Sequence, residues 1–244
     1  MKKRSLGRFF YAWRKRAGMD LHAELKIALE AAAEPGRAAP MQAYMRDQFI
    51  FLGVAAPQRR LAARGLLAGL KGIDAGTLLE HAQRLWQQPQ REYQHVALDM
   101  LALHWRQLDV EHIPALLGLA RQRAWWDSVD GMAGIVGEVL QAVHQRGGDG
   151  HAHMDDALHH QDFWLRRIAM LHQLGWRADT DVTWLFDAAF ALAHEDEFFI
   201  RKAIGWALRD YARHAPEAVT AFANAHRQQL SPLSYREALK HQPP

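Results

Sequence analysis

The hexamer Trp125-Trp126-Asp127-Ser128-Val129-Asp130 carries the clearest chemical signal in the sequence. Trp126 and Asp130 stand four apart, so on a helix they share a face. An indole beside a carboxylate is suited to holding a cation. The ring and the carboxylate both attract positive charge, and both attractions strengthen as water is excluded. A plainer role also fits, with the tryptophans in a core and Asp127 or Asp130 capping a helix. A second stretch, residues 198–211 (FFIRKAIGWALRDY), sets Lys202, Trp206 and Arg209 at i, i+4 and i+7, one stripe of a helix. Unpaired charge is costly to bury, so the stripe is unsuited to a core; a solvated basic edge with a partly buried Trp is the alternative. Gly205, just before Trp206, would let another group approach the helix backbone.

Two further clusters bear on chemistry. Ala56-Pro57-Gln58-Arg59-Arg60 reads as a helix opening, with Pro near the first position and free backbone N–H groups able to receive a phosphate. A plain helix start with solvated arginines fits equally. His151, His153, Asp155, Asp156, His159 and His160 crowd a short stretch that suggests a metal site. No distant ligand motif completes it, and solvated histidines at a helix end are the expectation, with no metal or cofactor required.

These residues must be positioned by helices. Apolar residues recur at three- and four-residue spacing through 21–33, 58–70, 78–86, 93–103, 113–120, 132–143, 164–174, 182–193, 199–211 and 218–225. No run of alternating β-branched residues predicts a sheet. Breaks fall at Pro35-Gly36, Pro57, Gly72, Pro89, Gly147-Gly148, Pro216 and Pro232. Asp109, Asp162, Thr180 and Asp196 are the predicted N-caps. Phe163-Trp164-Leu165-Arg166-Arg167 recurs 35 residues later as Phe198-Phe199-Ile200-Arg201-Lys202, and the same step backwards reaches the Trp126–Asp130 segment and then Glu92-Tyr93-Gln94-His95. A helix–turn–helix unit of that period predicts an all-α, HEAT-like helical-repeat solenoid. Equivalent helices would line one concave face, bringing Asp130, Arg166, Arg167, Arg201, Lys202 and several tryptophans into adjacent rows suited to nucleic acid.

The composition is that of a globular protein, with 49% hydrophobic and 23% charged residues over 244 positions. No Cys is present, which excludes disulfides and thiolate metal sites and suits a reducing cytoplasm. Net charge is +3, and arginine outnumbers lysine, a bias compatible with phosphate contacts. No segment approaches the roughly 20 apolar residues that span a bilayer. Residues 1–18 form a basic N-terminal extension, too interrupted by Arg8, Arg14 and Arg16 to be a signal peptide. A basic aromatic arm resting on an anionic surface and a solubilising tail both fit it. Residues 19–244 form the repeat domain.

The segments MQAYMR (41–46), GVAAPQRR (53–60), WWDSVD (125–130), WLRR (164–167), KAIGW (202–206) and PLSYREA (232–238) together resemble the AlkD-type alkylpurine DNA glycosylases, in order from about residue 38 to residue 241. The resemblance implies a monomeric base-excision-repair hydrolase that cleaves the N-glycosidic bond of cationic alkylated purines in double-stranded DNA. It implies no deep base pocket. It also implies Asp130 as the catalytic aspartate, Trp126 and Trp206 flanking the lesion nucleotide, and Arg167 on the same surface. Tyr44, Arg60 and Arg209, joined by Lys202, would hold DNA. Gly175-Trp176 depart from the pattern, which has a basic residue there. A noncatalytic relative gripping damaged or branched DNA and a protein-scaffolding array are the rival expectations. Asp130 argues against the first, and the basic rows argue against the second.

Overall fold

The computed structural model describes residues 20–241, so the basic extension lies outside the described residues. Among them are thirteen α-helices and no strand, with one isolated bridge between Ile50 and Gln90. None of these helices is long and apolar enough to cross a membrane. The chain divides into two compact units that meet at Leu108 and Asp109.

The first unit holds α1 (Leu21–Ala31), α2 (Pro35–Tyr44), α3 (Ala56–Ala68), α4 (Ala75–Trp86) and α5 (Arg91–His104). Helix α3 packs against α1 and α5, and α4 packs against α5. Leu25, Leu29, Leu66, Leu78, Leu85, Trp86, Met100 and Leu101 fill this core. Its main polar anchor is Glu92, fully buried at the start of α5. Its carboxylate accepts the backbone N–H groups of Leu52, Gly53 and Val54 at 3.0, 2.9 and 3.0 Å. A buried carboxylate survives only with such partners, and in return it fixes the loop that leads into α3.

The second unit holds four helix pairs. They are α6 (Ile113–Arg121) with α7 (Trp126–Gln145), α8 (His151–Leu158) with α9 (Phe163–Leu171), α10 (Val182–Ala191) with α11 (Phe198–Ala212), and α12 (Pro216–Ala225) with α13 (Pro232–Ala238). The second helices form one continuous layer, with α9 against both α7 and α11, and α11 against α13. Each pair therefore buries its apolar face against its neighbours, as a helical repeat must. Two glycines permit the closest approaches. A Cβ on Gly137 of α7 would fall 2.0 Å from the His172 carbonyl oxygen, and one on Gly205 of α11 would fall 2.4 Å from the Glu237 Cβ of α13. The approach expected at Gly205 is thus made by α13.

The ten helices predicted from periodicity are all present. Helices α2, α8 and α13 are absent from the periodicity reading, because they carry little apolar periodicity. No α2 residue is buried, and α8 buries only Met154, Ala157 and Leu158. Pro35 and Pro232, read as breaks, open helices instead, since the missing N–H is not needed in the first turn. Helix α7 starts at Trp126, six residues before its apolar run. Two predicted caps shift by one residue. Asp181, not Thr180, accepts the Trp184 N–H, and Glu197, not Asp196, accepts that of Phe199. Asp196 is drawn away into an ion pair with Arg201.

His172, just past α9, lies in the second core with Trp184 and Trp176 edge-on at 4.8 and 5.5 Å. Its Nδ1–H donates to the Ala169 carbonyl at 2.6 Å. Burial pushes its pKa down to about 4. The unfolded chain accepts the proton near pH 6.5, whereas the folded chain refuses it until about pH 4. Stability contributed by neutral His172 is therefore full above pH 6.5 and is lost as pH falls toward 4. His22, half-buried against His81 in the first unit, has the same sign, again chiefly through burial. Urea unfolding at pH 7 and pH 5 should differ by about 2 kcal/mol through His172 alone, and His172→Gln should flatten that difference. An unchanged pH dependence in the variant would refute this account. Gly205→Ala should cost about 1–3 kcal/mol, read as a fall in Tm, because neither a Cβ nor a backbone carbonyl yields easily.

Candidate functional site

The site grows from the first turn of α7. Trp125 precedes the helix in extended backbone, so Trp126 and Asp130 occupy its first and fifth positions and share a face. The Asp130 carboxylate is taken by Arg167 of α9 through both oxygens, Nε to Oδ1 at 2.7 Å and Nη2 to Oδ2 at 2.9 Å. Nη1 of the same guanidinium donates to the Phe199 carbonyl at the start of α11. The Arg167 side chain is only 2% exposed and that of Asp130 is 26% exposed. Arg167 is thus a buried strut between three helices, and the carboxylate presents its remaining edge to solvent.

Trp206 of α11 lies beside this pair. The Arg167 Cζ is 5.3 Å from its ring centroid, and the Lys202 Nζ is 5.5 Å from it, both within cation–π range. Lys202 and Arg209, the other members of the stripe, both donate to Glu237 of α13, Lys202 at 2.9 Å. The Lys202 hydrogen bond, reinforced by Arg209, holds the Glu237 carboxyl below the usual carboxylate range despite partial burial. Trp125 caps an aromatic cluster with Trp164 and Phe199, ring centroids 5.9 and 5.5 Å away. Phe198 remains 56% exposed at its edge.

The structure therefore brings Asp130, Arg167, Trp206, Lys202 and Arg209 together, with Trp126 on the Asp130 face of α7. Other predicted cations are diverted. Arg166 is held by Glu195 and the His160 and Gln161 carbonyls, and Arg201 by the Glu195 carbonyl and Asp196. Both stitch the 193–197 connection, where open basic rows were expected. In the first unit Tyr44 is 71% exposed at the end of α2. Helix α3 begins at Ala56 with Pro57 in its first turn, as predicted. Arg60 points outward with its Nε 3.5 Å from Asp99, while Arg59 is buried against the same carboxylate.

The histidine-rich stretch disperses. His160 Nδ1 accepts the Asp162 N–H, His159 Nδ1 donates to the Asp155 carbonyl, and His151 lies 3.6 Å from Asp181. Among the described residues no three His, Asp or Glu side chains converge on a possible ion. The Gly175-Trp176 departure has a structural explanation. Gly175 has φ +84° and donates its N–H to Asp210 at 2.7 Å, while Trp176 is buried beside His172. Sequence reasoning missed Phe199 and Glu237. The 35-residue repeat marks Phe199 as the equivalent of Trp164, but nothing local marks Glu237.

Chemically, the site offers a carboxylate held by a bidentate fork, indoles nearby, and cations already matched to acids. Such an arrangement can receive positive charge without rearranging.

A family model described as DNA alkylation repair enzyme matches residues 25–242. Among solved structures, the predicted DNA alkylation repair enzyme from Enterococcus faecalis is 32% identical, with a TM-score of 0.77 over 86% of this chain and 96% of that one. No curated protein matches the chain. With nearly the whole length matched by the family model and by a structure sharing its helical architecture, the chain belongs to the DNA alkylation repair enzyme family.

Proposed function

We propose that the chain is a DNA N-glycosylase that releases cationic alkylated purines, of the N3-methyladenine and N7-methylguanine type, from double-stranded DNA. It would act as a cytoplasmic monomer, for which the absence of Cys is suitable. The observation that carries the reading is the Asp130 carboxylate, gripped at both oxygens by Arg167 and left about a quarter exposed beside tryptophans.

Alkylation at a ring nitrogen makes the purine cationic and a good leaving group. The glycosidic C–N bond breaks with its electron pair passing to the base, which leaves neutral, and positive charge develops on the sugar. Asp130 faces that charge. Because Arg167 occupies both carboxylate oxygens, its geometry favours an electrostatic stabiliser over a general base. It is already oriented when the sugar cation forms. Water completes the reaction at the anomeric carbon and yields its proton to solvent. Trp126 and Trp206 supply ring faces for the cationic nucleotide. Outward-facing Arg60 and Tyr44 suit contacts with the DNA backbone.

The test is single-turnover release of free N7-methylguanine from duplex DNA. Wild type should release the base, and Asp130→Asn should do so on the order of 10²-fold more slowly while still binding the duplex. Binding without release by wild type would instead favour a noncatalytic DNA-gripping protein. Arg167→Met should lower stability by about 3 kcal/mol in urea unfolding, because it leaves the Asp130 carboxylate without its bidentate partner, and should slow release as well. Full stability in that variant would show that the strut is dispensable.

A further inference from the structure

Trp206 poses a problem for any site meant to receive a cation. Its ring already has two resident cations within cation–π range, Arg167 and Lys202. Arg167 is neutralised by Asp130. Lys202 stands one turn before Trp206 on α11 and Arg209 nearly one turn after it, so both charges flank the ring along the stripe. An unmatched Lys202 would repel an incoming cationic base and grip any passing phosphate, damaged or not.

Glu237 meets both. Its Oε1 takes the Lys202 ammonium at 2.9 Å, and its Oε2 takes the Arg209 guanidinium. All three side chains are mostly buried, with Glu237 12%, Arg209 20% and Lys202 24% exposed. Burial limits solvent screening and keeps the pairing strong. The approach is built into the backbone, because Gly205 leaves room for the Glu237 Cβ and Ser234 of α13 donates to the Arg201 carbonyl at 2.9 Å. A carboxylate that only docked α13 would not need both cations, one of which is held within range of the Trp206 ring.

We propose that Glu237 is a specificity-determining residue, and this inference rests on the glycosylase reading. By holding Lys202 and Arg209, it keeps the charge around Trp206 low enough for a cationic nucleotide and withholds two cations from indiscriminate phosphate binding. Glu237 exchanges general DNA affinity for discrimination in favour of positive charge.

The test uses the full chain, with Glu237→Gln as a near-isosteric variant. Binding is measured on three duplexes: one undamaged, one carrying the neutral abasic analogue tetrahydrofuran, and one carrying a cationic pyrrolidine analogue of the sugar. The variant should bind undamaged duplex several-fold more tightly. Its plot of log affinity against log salt should steepen by up to about two, since each added phosphate contact contributes about 0.9. Its preference for pyrrolidine over tetrahydrofuran should fall about tenfold, and single-turnover release of N7-methylguanine should slow. Lys202→Gln, which removes the cation instead, should raise the pyrrolidine preference. A merely structural staple predicts that Glu237→Gln loses thermal stability and binds all three duplexes more weakly in proportion. That result, or an unchanged preference in both variants, overturns the proposal. Failure of the glycosylase reading is separate: wild type would prefer pyrrolidine yet release no base.

Discussion

A guanidinium removed from water must find enough acceptors to replace its hydration, and Arg167 of α9 finds them on the two neighbouring helices, α7 and α11. That requirement fixes more than one side chain. It sets the rotation of α7 that aims Asp130, and it holds the first turn of α11 through the Phe199 carbonyl. It also places a cation beside Trp206. Losing the strut would therefore disturb the carboxylate, the aromatic cluster and the tryptophan ring together. A buried ion pair is weak evidence for stability in itself. Here its significance is geometric, because an electrostatic stabiliser works only if it does not have to reorient.

The repeat uses the same positions twice with different outcomes. Arg166 and Arg201 are repeat equivalents, and both secure the 193–197 connection. Arg167 and Lys202 are also equivalents, yet Arg167 reaches back to Asp130 on the preceding layer helix, while Lys202 reaches forward to Glu237 on the following one. Both cations near the Trp206 ring thus have a carboxylate of their own. The row of cations that the repeat brings together is close to balanced at the point where a positive charge would have to sit.

Elsewhere the structure holds backbone in place with carboxylates. Glu92 satisfies three consecutive N–H groups in the first unit, so the loop before α3 is fixed although it has no regular structure. Asp210 does similar work for Gly175 in the second unit. Trp176 shows why a departure from a family pattern need not leave a hole: the position has been given over to core packing against His172.

The sequence by itself determined the all-helical repeat, because three- and four-residue apolar spacing and the 35-residue recurrence are local, one-dimensional properties. It also determined that Trp126 and Asp130 share a face and that Lys202, Trp206 and Arg209 form a stripe, since helix geometry alone imposes both. The missed helices α2, α8 and α13 bury too little to leave a periodic signal, and Pro35 of α2 and Pro232 of α13 read as breakers until their N-terminal position is known. Only tertiary structure decided which charges meet. Nothing local distinguishes Arg167 from Arg166, or selects Glu237 from the many acids, because their partners lie 28 to 37 residues away across helix packing. Pairing depends on which helices become neighbours and how closely a glycine lets them approach, and that is a property of the packed chain.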